Sequence, residues 1–285
     1  MHKLKRREFL KGVGAVLLSA GVVPDVFAEE DEDPGFWENT DRDDRHIRDY
    51  LYKMRHFNDH HPDDVFLSQK DYDILKTSQA RLKRLQRTVG HGNFYLLNFD
   101  EALKIARNYT RVGRFTDAEI NFLEKIFYED SIQYGFWGEK PIKNLTDRVK
   151  RQSVVKIRHS GNYLYKGLPL ETYQKIRNDI GDQVVLTSGV RSVIKQFMLF
   201  LSKARDSRGN LSMASRSLAP PGYSYHGIGD FDVGQVGLGA DNFTEKFADT
   251  DVFKKLKDLG YIQFRYQDGN FLGVRFEPWH ISVHT

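Results

Sequence analysis

The chain has 285 residues, a formal net charge of +4 and no cysteine. Without cysteine it cannot form disulfide frameworks, thiolate metal sites or cysteine nucleophiles. Its length suits one large domain or two small ones.

The first 28 residues have the layout of an export signal. The pair Arg6 and Arg7 lies in a charged start, and an apolar run over residues 12–23 leads to a cleavage site expected after Ala28. The paired arginines favour the twin-arginine (Tat) export machinery. The apolar run is shorter than the roughly 20 residues that span a bilayer, so no permanent membrane span is expected. An uncleaved N-terminal anchor is the alternative to a periplasmic or otherwise exported protein.

The excess of positive charge lies mostly in this signal segment. Five lysines and arginines against two acidic residues give residues 1–28 a net charge of +3, so the remainder is near neutral. The pI of about 9.0 therefore does not indicate a nucleic-acid partner.

Residues 29–44 form an acidic lead-in, and residues 45–139 are predicted to be a helical region of unknown role. Ser68 is a candidate N-cap for a helix that runs toward Thr88. The pair Thr116 and Glu119 forms a capping box for a second helix. The apolar residues that define one side of these helices are Leu75, Leu82, Leu85, Ile120, Leu123, Phe127 and Ile132.

Residues 140–285 have a mixed pattern that predicts a separate α+β domain with an antiparallel sheet flanked by helices. Helices are expected over 170–180, 192–204 and 249–259. Strands are expected over 184–187 and 280–283, and a β-hairpin over 261–276 with its turn at 267–269.

Two segments of this domain hold the residue types of a catalytic zinc site. His226 lies in a glycine-rich stretch and is followed by Asp230 and Asp232, which would share one face of a strand. Glu277 and His280 lie about fifty residues further on. A catalytic zinc needs three nitrogen or oxygen ligands, an open fourth position and a base for the attacking water.

Glu277 and His280 can face one metal only if the chain bends between them. Residues three apart point to opposite faces of a flat strand. Pro278 favours an irregularity at this point because it fixes φ and has no N–H. An ordinary sheet edge, with Trp279 in the core and Glu277 exposed, is the alternative.

Three ordered motifs resemble those of zinc D-alanyl-D-alanine carboxypeptidases of the VanY type, which are related to D,D-dipeptidases, murein endopeptidases and hedgehog-type domains. The three motifs are Ser188-Gly189-Val190-Arg191-Ser192 with Gln196, Pro221-Gly222-Tyr223-Ser224-Tyr225-His226-Gly227-Ile228-Gly229, and Glu277-Pro278-Trp279-His280. The resemblance begins near residue 140 and implies the hedgehog/D-Ala-D-Ala peptidase-like fold.

The resemblance also implies roles for individual residues. His226 and His280 would bind zinc, and Glu277 would be the general base. Arg191 would polarise the scissile carbonyl or anchor the substrate, with a structural salt bridge as the alternative. The residues implied in positioning substrate are Ser224 and Gln196.

The sequence departs from the family pattern where the third ligand is expected. The family places its acidic ligand seven residues after the histidine, whereas position seven here is Val233. The Asp232-Val233 pair matches the family best, so Asp232 is predicted as the ligand, with Asp230 as the alternative. Val190 also replaces the family's usual tyrosine.

These features predict an exported zinc metallopeptidase that acts on peptidoglycan peptides. Removal of a terminal D-alanine is the expected reaction, and a murein endopeptidase that cuts cross-links is the nearest alternative. A zinc-holding but inactive cell-wall-binding module is an alternative of a different class.

Overall fold

The computed structural model describes residues 47–262, 266 and 270–283, which belong to one compact unit. The predicted signal and acidic lead-in lie outside these residues. No helix in the described ranges is long and apolar enough to cross a membrane.

The first part of the described chain is helical, as the sequence predicts. Residues 47–55 are helical. Four helices follow: α1 (Gln69–Val89), α2 (His91–Phe94), α3 (Phe99–Asn108) and α4 (Asp117–Tyr128). The Ser68 hydroxyl accepts from the backbone N–H of Asp71, and Thr116 with Glu119 forms the predicted capping box, so both helix starts are confirmed.

The end of α4 corrects one expectation. Ile132 was expected on the apolar side of this helix, but the helix ends at Tyr128 and Glu129 is extended. The Asp130 side chain then accepts a hydrogen bond from Ile132 N and starts a short 3₁₀ turn, Ser131–Tyr134. Ile132 is consequently 46% exposed.

The second part mixes helices with short strands. Its elements are β1 (Val154–Lys156), β2 (Tyr163–Tyr165), α5 (Leu168–Ile180), β3 (Val184–Ser188), α6 (Val193–Asp206), α7 (Leu211–Ser217), β4 (Phe231–Gln235), α8 (Asp251–Asp258) and β5 (His280–Ile281). Strands β1 and β2 pair antiparallel, and β3, β4 and β5 form an antiparallel sheet in that order. The predicted α+β class is confirmed.

The predicted hairpin over 261–276 is wrong in its second arm. Residues 263–265 and 267–269 lie outside the described residues, but residues 270–276 are described and contain no strand. The Asn270 side chain folds this segment into a loop by bonding to Leu272 N and Val274 O. Gly273 has φ 89° and lies so close to Gly135 that a Cβ would come within 2.3 Å of the Gly135 oxygen.

Two large hydrophobic clusters contain most of the buried apolar side chains of the described residues, and a third, small one surrounds Val190. One large cluster joins α1, α3 and α4 to α6, whose Phe197, Phe200 and Leu201 are fully buried. The other large cluster packs α5 and α8 against the three-stranded sheet around Phe231 and Trp279. Each fully buried side chain of this size contributes about 1.5–3 kcal/mol. The helical region of residues 45–139 thus shares its core with a helix of the 140–285 region.

Candidate metal centre

The three-stranded sheet brings the candidate ligands together through its register. Asp232, on the central strand β4, lies opposite Ser188 on β3 and opposite His280 on β5. Directly opposed residues on antiparallel strands have neighbouring side chains. Two distant segments of sequence therefore meet at Asp232.

His226 reaches the same point from a short 3₁₀ turn, Tyr225–Gly227. Its Nδ1 donates to the carbonyl oxygen of Gly189 at 2.8 Å, and its Nε2 lies 3.2 Å from Asp232 Oδ1. Gly189 has to be glycine because a Cβ would lie 2.0 Å from the Tyr163 oxygen. The outward hydrogen bond leaves the Nε2 lone pair free to bind a metal.

His280 is oriented in the same way by Asp230. Its Nε2 donates to Asp230 Oδ2 at 2.9 Å, while its Nδ1 lies 3.1 Å from Asp232 Oδ1. The other Asp230 oxygen accepts from Val283 N at 3.0 Å. The two aspartates thus approach opposite nitrogens of one imidazole.

These contacts make His226, Asp232 and His280 a set that fits a metal ion. One ligand atom from each residue lies within 4.8 Å of the others, and all three residues are buried. Each histidine donates its other N–H to an oxygen, which is the usual arrangement around metal-binding imidazoles. Two imidazoles and one carboxylate are also a donor set of catalytic zinc sites, with the fourth position open.

The ionisation of the set reflects burial and close contacts. Burial lowers the pKa of His226, and the charge of Arg191 lowers it further. Burial alone would raise the pKa of Asp232, but His226 and Arg191 hold it well below its usual range. Burial would likewise lower the pKa of His280, yet its hydrogen bonds to the two aspartates raise it to about 9. Asp232 is therefore an anion at neutral pH.

Glu277 reaches the site because the chain turns at Pro278. The backbone N–H of His280 donates to the Glu277 carbonyl at 3.1 Å, so the residues three apart line one small cavity together. The bend expected at Pro278 is present. Burial raises the pKa of the Glu277 carboxyl to about 7, a value that suits proton transfer near neutral pH.

Arg191 is paired with the candidate ligand Asp232. Its Nη2 donates to Asp232 Oδ2, and its Nε donates to Ser188 Oγ at 2.8 Å. The guanidinium lines the cavity of Glu277 and His280 as well. The structure therefore shows the salt bridge that was the alternative for Arg191, and a contact with substrate stays a prediction.

Ser224 and Gln196 also line this small cavity. The Gln196 amide is engaged by backbone at both ends, since Nε2 donates to Arg191 O at 2.9 Å and Oε1 accepts from Gly222 N at 2.8 Å. It thereby joins the Arg191 segment to the loop that carries His226. The substrate-positioning roles of Ser224 and Gln196 stay predictions.

A second, wider cavity of about 280 Å³ adjoins the first. It shares Arg191 and Glu277 with the small cavity and also contains Asp232. Lys195 and Tyr95 line it too, and the motif analysis missed both. Lys195 could have been noticed from its place within the Arg191–Gln196 motif, but Tyr95 lies in the helical region and had no local signal.

A family model supports this part of the chain. Residues 168–284 match the VanY model, described as D-alanyl-D-alanine carboxypeptidase. The chain carries a VanY-family domain. The match indicates a peptidase domain of the D-alanyl-D-alanine carboxypeptidase type in this part of the chain. Among curated proteins no significant match is found.

Several solved structures resemble the chain more distantly. The LdcB LD-carboxypeptidase has 20% identity and a TM-score of 0.40, over 47% of this chain and 69% of its own. A VanY D,D-pentapeptidase mutant from the VanB-type vancomycin resistance cassette, in complex with Zn(II), has 21% identity and a TM-score of 0.39 over 52% and 86%. VanYB in complex with D-alanine-D-alanine has 20% identity and a TM-score of 0.40 over 53% and 86%.

Proposed function

We propose that the protein is an exported, zinc-dependent carboxypeptidase that removes a terminal D-alanine from peptidoglycan peptides. The peptidase domain spans residues 140–285, and the zinc ligands are His226, Asp232 and His280. The observation that carries the proposal is the arrangement of the two imidazoles, which donate outward and leave Nε2 of one and Nδ1 of the other beside a charged carboxylate.

Glu277 is the general base in this proposal. Zinc, when bound, would supply Lewis-acid polarisation of the scissile carbonyl and a lower pKa for the attacking water. The Glu277 carboxylate accepts that water's proton and returns it to the leaving amine. Its pKa of about 7 makes both transfers feasible at neutral pH.

Arg191 has two tasks in the proposed reaction. Its hydrogen bond keeps Asp232 charged and in place. The remaining guanidinium N–H groups can stabilise negative charge on the carbonyl oxygen, since the side chain lines the same cavity as Glu277. Ser224 and Gln196 are proposed to shape the wall on which the substrate lies.

A murein endopeptidase is the second candidate, because the wider cavity extends beyond the zinc ligands and could hold a longer peptide. The inactive binding module is disfavoured, because such a module has no need of the half-buried Glu277 carboxylate with its raised pKa. The cell-wall substrate agrees with export through the twin-arginine signal, which we include in the proposal.

The test is digestion of purified muropeptides by the zinc-loaded protein, with products identified by mass spectrometry. Loss of one alanine from pentapeptides is expected, whereas cleavage of cross-linked dimers with intact termini would establish the endopeptidase. Glu277→Gln is the control: it should keep zinc and fold but lose about 10²-fold or more of turnover. Absence of cleavage by the wild type on every muropeptide would support the binding module.

A further inference from the structure

Lys195 is a cation of the wider cavity to which the proposed mechanism gives no task. It lies on α6, one helical turn after Arg191, and lines the cavity of about 280 Å³ together with Asp232 and Glu277. Its side chain is half-buried, and Nζ lies 4.7 Å from the centre of the Tyr95 ring. The ammonium group is thus held beside the proposed reaction centre.

The other charges of this cavity have opposite partners, whereas Lys195 has none among the residues that the structure describes. Arg191 is bonded to Asp232, and Glu277 is close enough to Arg275 for each to affect the other's pKa. Within the described ranges no carboxylate forms a salt bridge or hydrogen bond with Lys195. Burial and the charge of Arg191 lower its pKa to about 8, so the amine is still mostly protonated at neutral pH.

An unpaired, half-buried ammonium is unfavourable in the free protein, because it loses hydration without gaining a counter-ion. An anionic ligand in the cavity would relieve that cost. The cavity already holds Glu277, the proposed base, so an anion here would lie close to the scissile bond. In a peptide whose last residue is the leaving group, the free carboxylate is only one residue, about 3.8 Å between Cα atoms, beyond that bond.

We infer that Lys195 binds the free C-terminal carboxylate of the substrate and so restricts the site to terminal residues. The inference rests on the proposed function, and deepens it by assigning the residue that distinguishes a peptide end from a cross-link. An internal peptide bond places an amide where Lys195 requires an anion. The Tyr95 ring packs against the lysine side chain and positions it.

The experiment compares two peptides that end in D-alanyl-D-alanine, one with a free carboxylate and one with a C-terminal amide. The zinc-loaded wild type, Lys195→Gln and Lys195→Arg are assayed for kcat and KM on both. Lys203→Gln is the matched control, because Lys203 lies on the same helix but bonds to Asn58 and lines a different cavity. Equilibrium binding of both peptides is measured in the Glu277→Gln background.

Lys195→Gln should lower kcat/KM for the free acid by about 10- to 100-fold, the loss expected for one charged hydrogen bond, mainly through KM. The kcat/KM for the amide peptide should change by less than about twofold, since this peptide has no carboxylate to bond with Lys195. Lys195→Arg should recover part of the loss, and Lys203→Gln should behave as the wild type on both peptides.

An equal loss on acid and amide, or no loss on either, would overturn the inference. The binding measurement separates it from the proposed function. If the wild type cleaves neither peptide but Lys195→Gln weakens binding of the acid alone, the inference stands and the carboxypeptidase proposal fails. If the acid is cleaved and bound equally well with and without Lys195, the carboxypeptidase proposal stands and the inference about Lys195 fails.

Discussion

Asp230→Asn tests whether Asp230 orients a metal ligand or is itself the ligand. The substitution preserves size but removes the charge and one acceptor. Asp230 is buried, and among the described residues it accepts hydrogen bonds from His280 Nε2 at 2.9 Å and from Val283 N at 3.0 Å. An asparagine has only one oxygen, so its amide N–H groups must face one of these two donors.

The consequence for His280 sets the size of the effect. If the amide N–H faces the imidazole, the ring proton moves to Nδ1, which is the nitrogen beside Asp232. Zinc then has to displace that proton. Loss of such an orienting partner weakens metal binding by about 10- to 100-fold, or roughly 1.4–2.7 kcal/mol. The variant should therefore keep a full equivalent of zinc in excess metal but bind it less tightly.

The assay is competition for zinc with a chromophoric chelator, with Asp232→Asn measured in parallel. Asp232→Asn should lose bound zinc, because two histidines alone rarely hold the metal against water. The opposite result, with zinc lost in Asp230→Asn and retained in Asp232→Asn, would refute the reasoning and make Asp230 the third ligand.

Two further predictions concern pH and export. His280 and Glu277 both have raised pKa values in the fold, so each binds a proton more tightly in the folded metal-free protein than in the unfolded chain. The contribution of His280 to the unfolding free energy should therefore fall as pH rises from about 6.5 to about 9, and that of Glu277 as pH rises from about 4.5 to about 7. The contribution of His280 to this fall in unfolding free energy is on the order of 3 kcal/mol. Urea titrations should show the fall without zinc and a much smaller one with zinc. An unfolding free energy that does not change with pH in the absence of zinc would contradict the assigned pKa shifts. Replacing Arg6 and Arg7 by lysine should leave unprocessed protein in the cytoplasm, as fractionation and immunoblotting would show, and unchanged delivery would indicate the general secretion route.

Local chemistry made several elements predictable. Ser68 and the Thr116–Glu119 box fixed two helix starts because capping side chains act within four residues. The Asn98–Glu101 box at the start of α3 is of the same kind and was available to the same argument. The loop over 270–276 was not predictable from the alternation of apolar and polar residues alone, because the Asn270 side chain and the distant backbone of Gly135 determine it.

The site was predictable in its residue types but not in its contacts. Motif order indicated His226 and His280, yet the sheet register decides that Asp232 faces both. The hydrogen bond from His280 to Asp230 joins residues fifty positions apart, so no sequence spacing shows it. The ion pair of Arg191 with Asp232 likewise depends on the pairing of β3 with β4.

The shared core of α6 affects any attempt to locate activity by shortening the chain. One side of this helix holds Lys195 and Gln196 at the cavities, while Phe197 and Phe200 are buried in the cluster that includes α1 and α4. A fragment beginning at residue 140 would retain every side chain proposed for catalysis. It would also expose that apolar side to water and lose the packing that fixes α6. Inactivity of such a fragment would report a collapsed or aggregated helix rather than a missing chemical group.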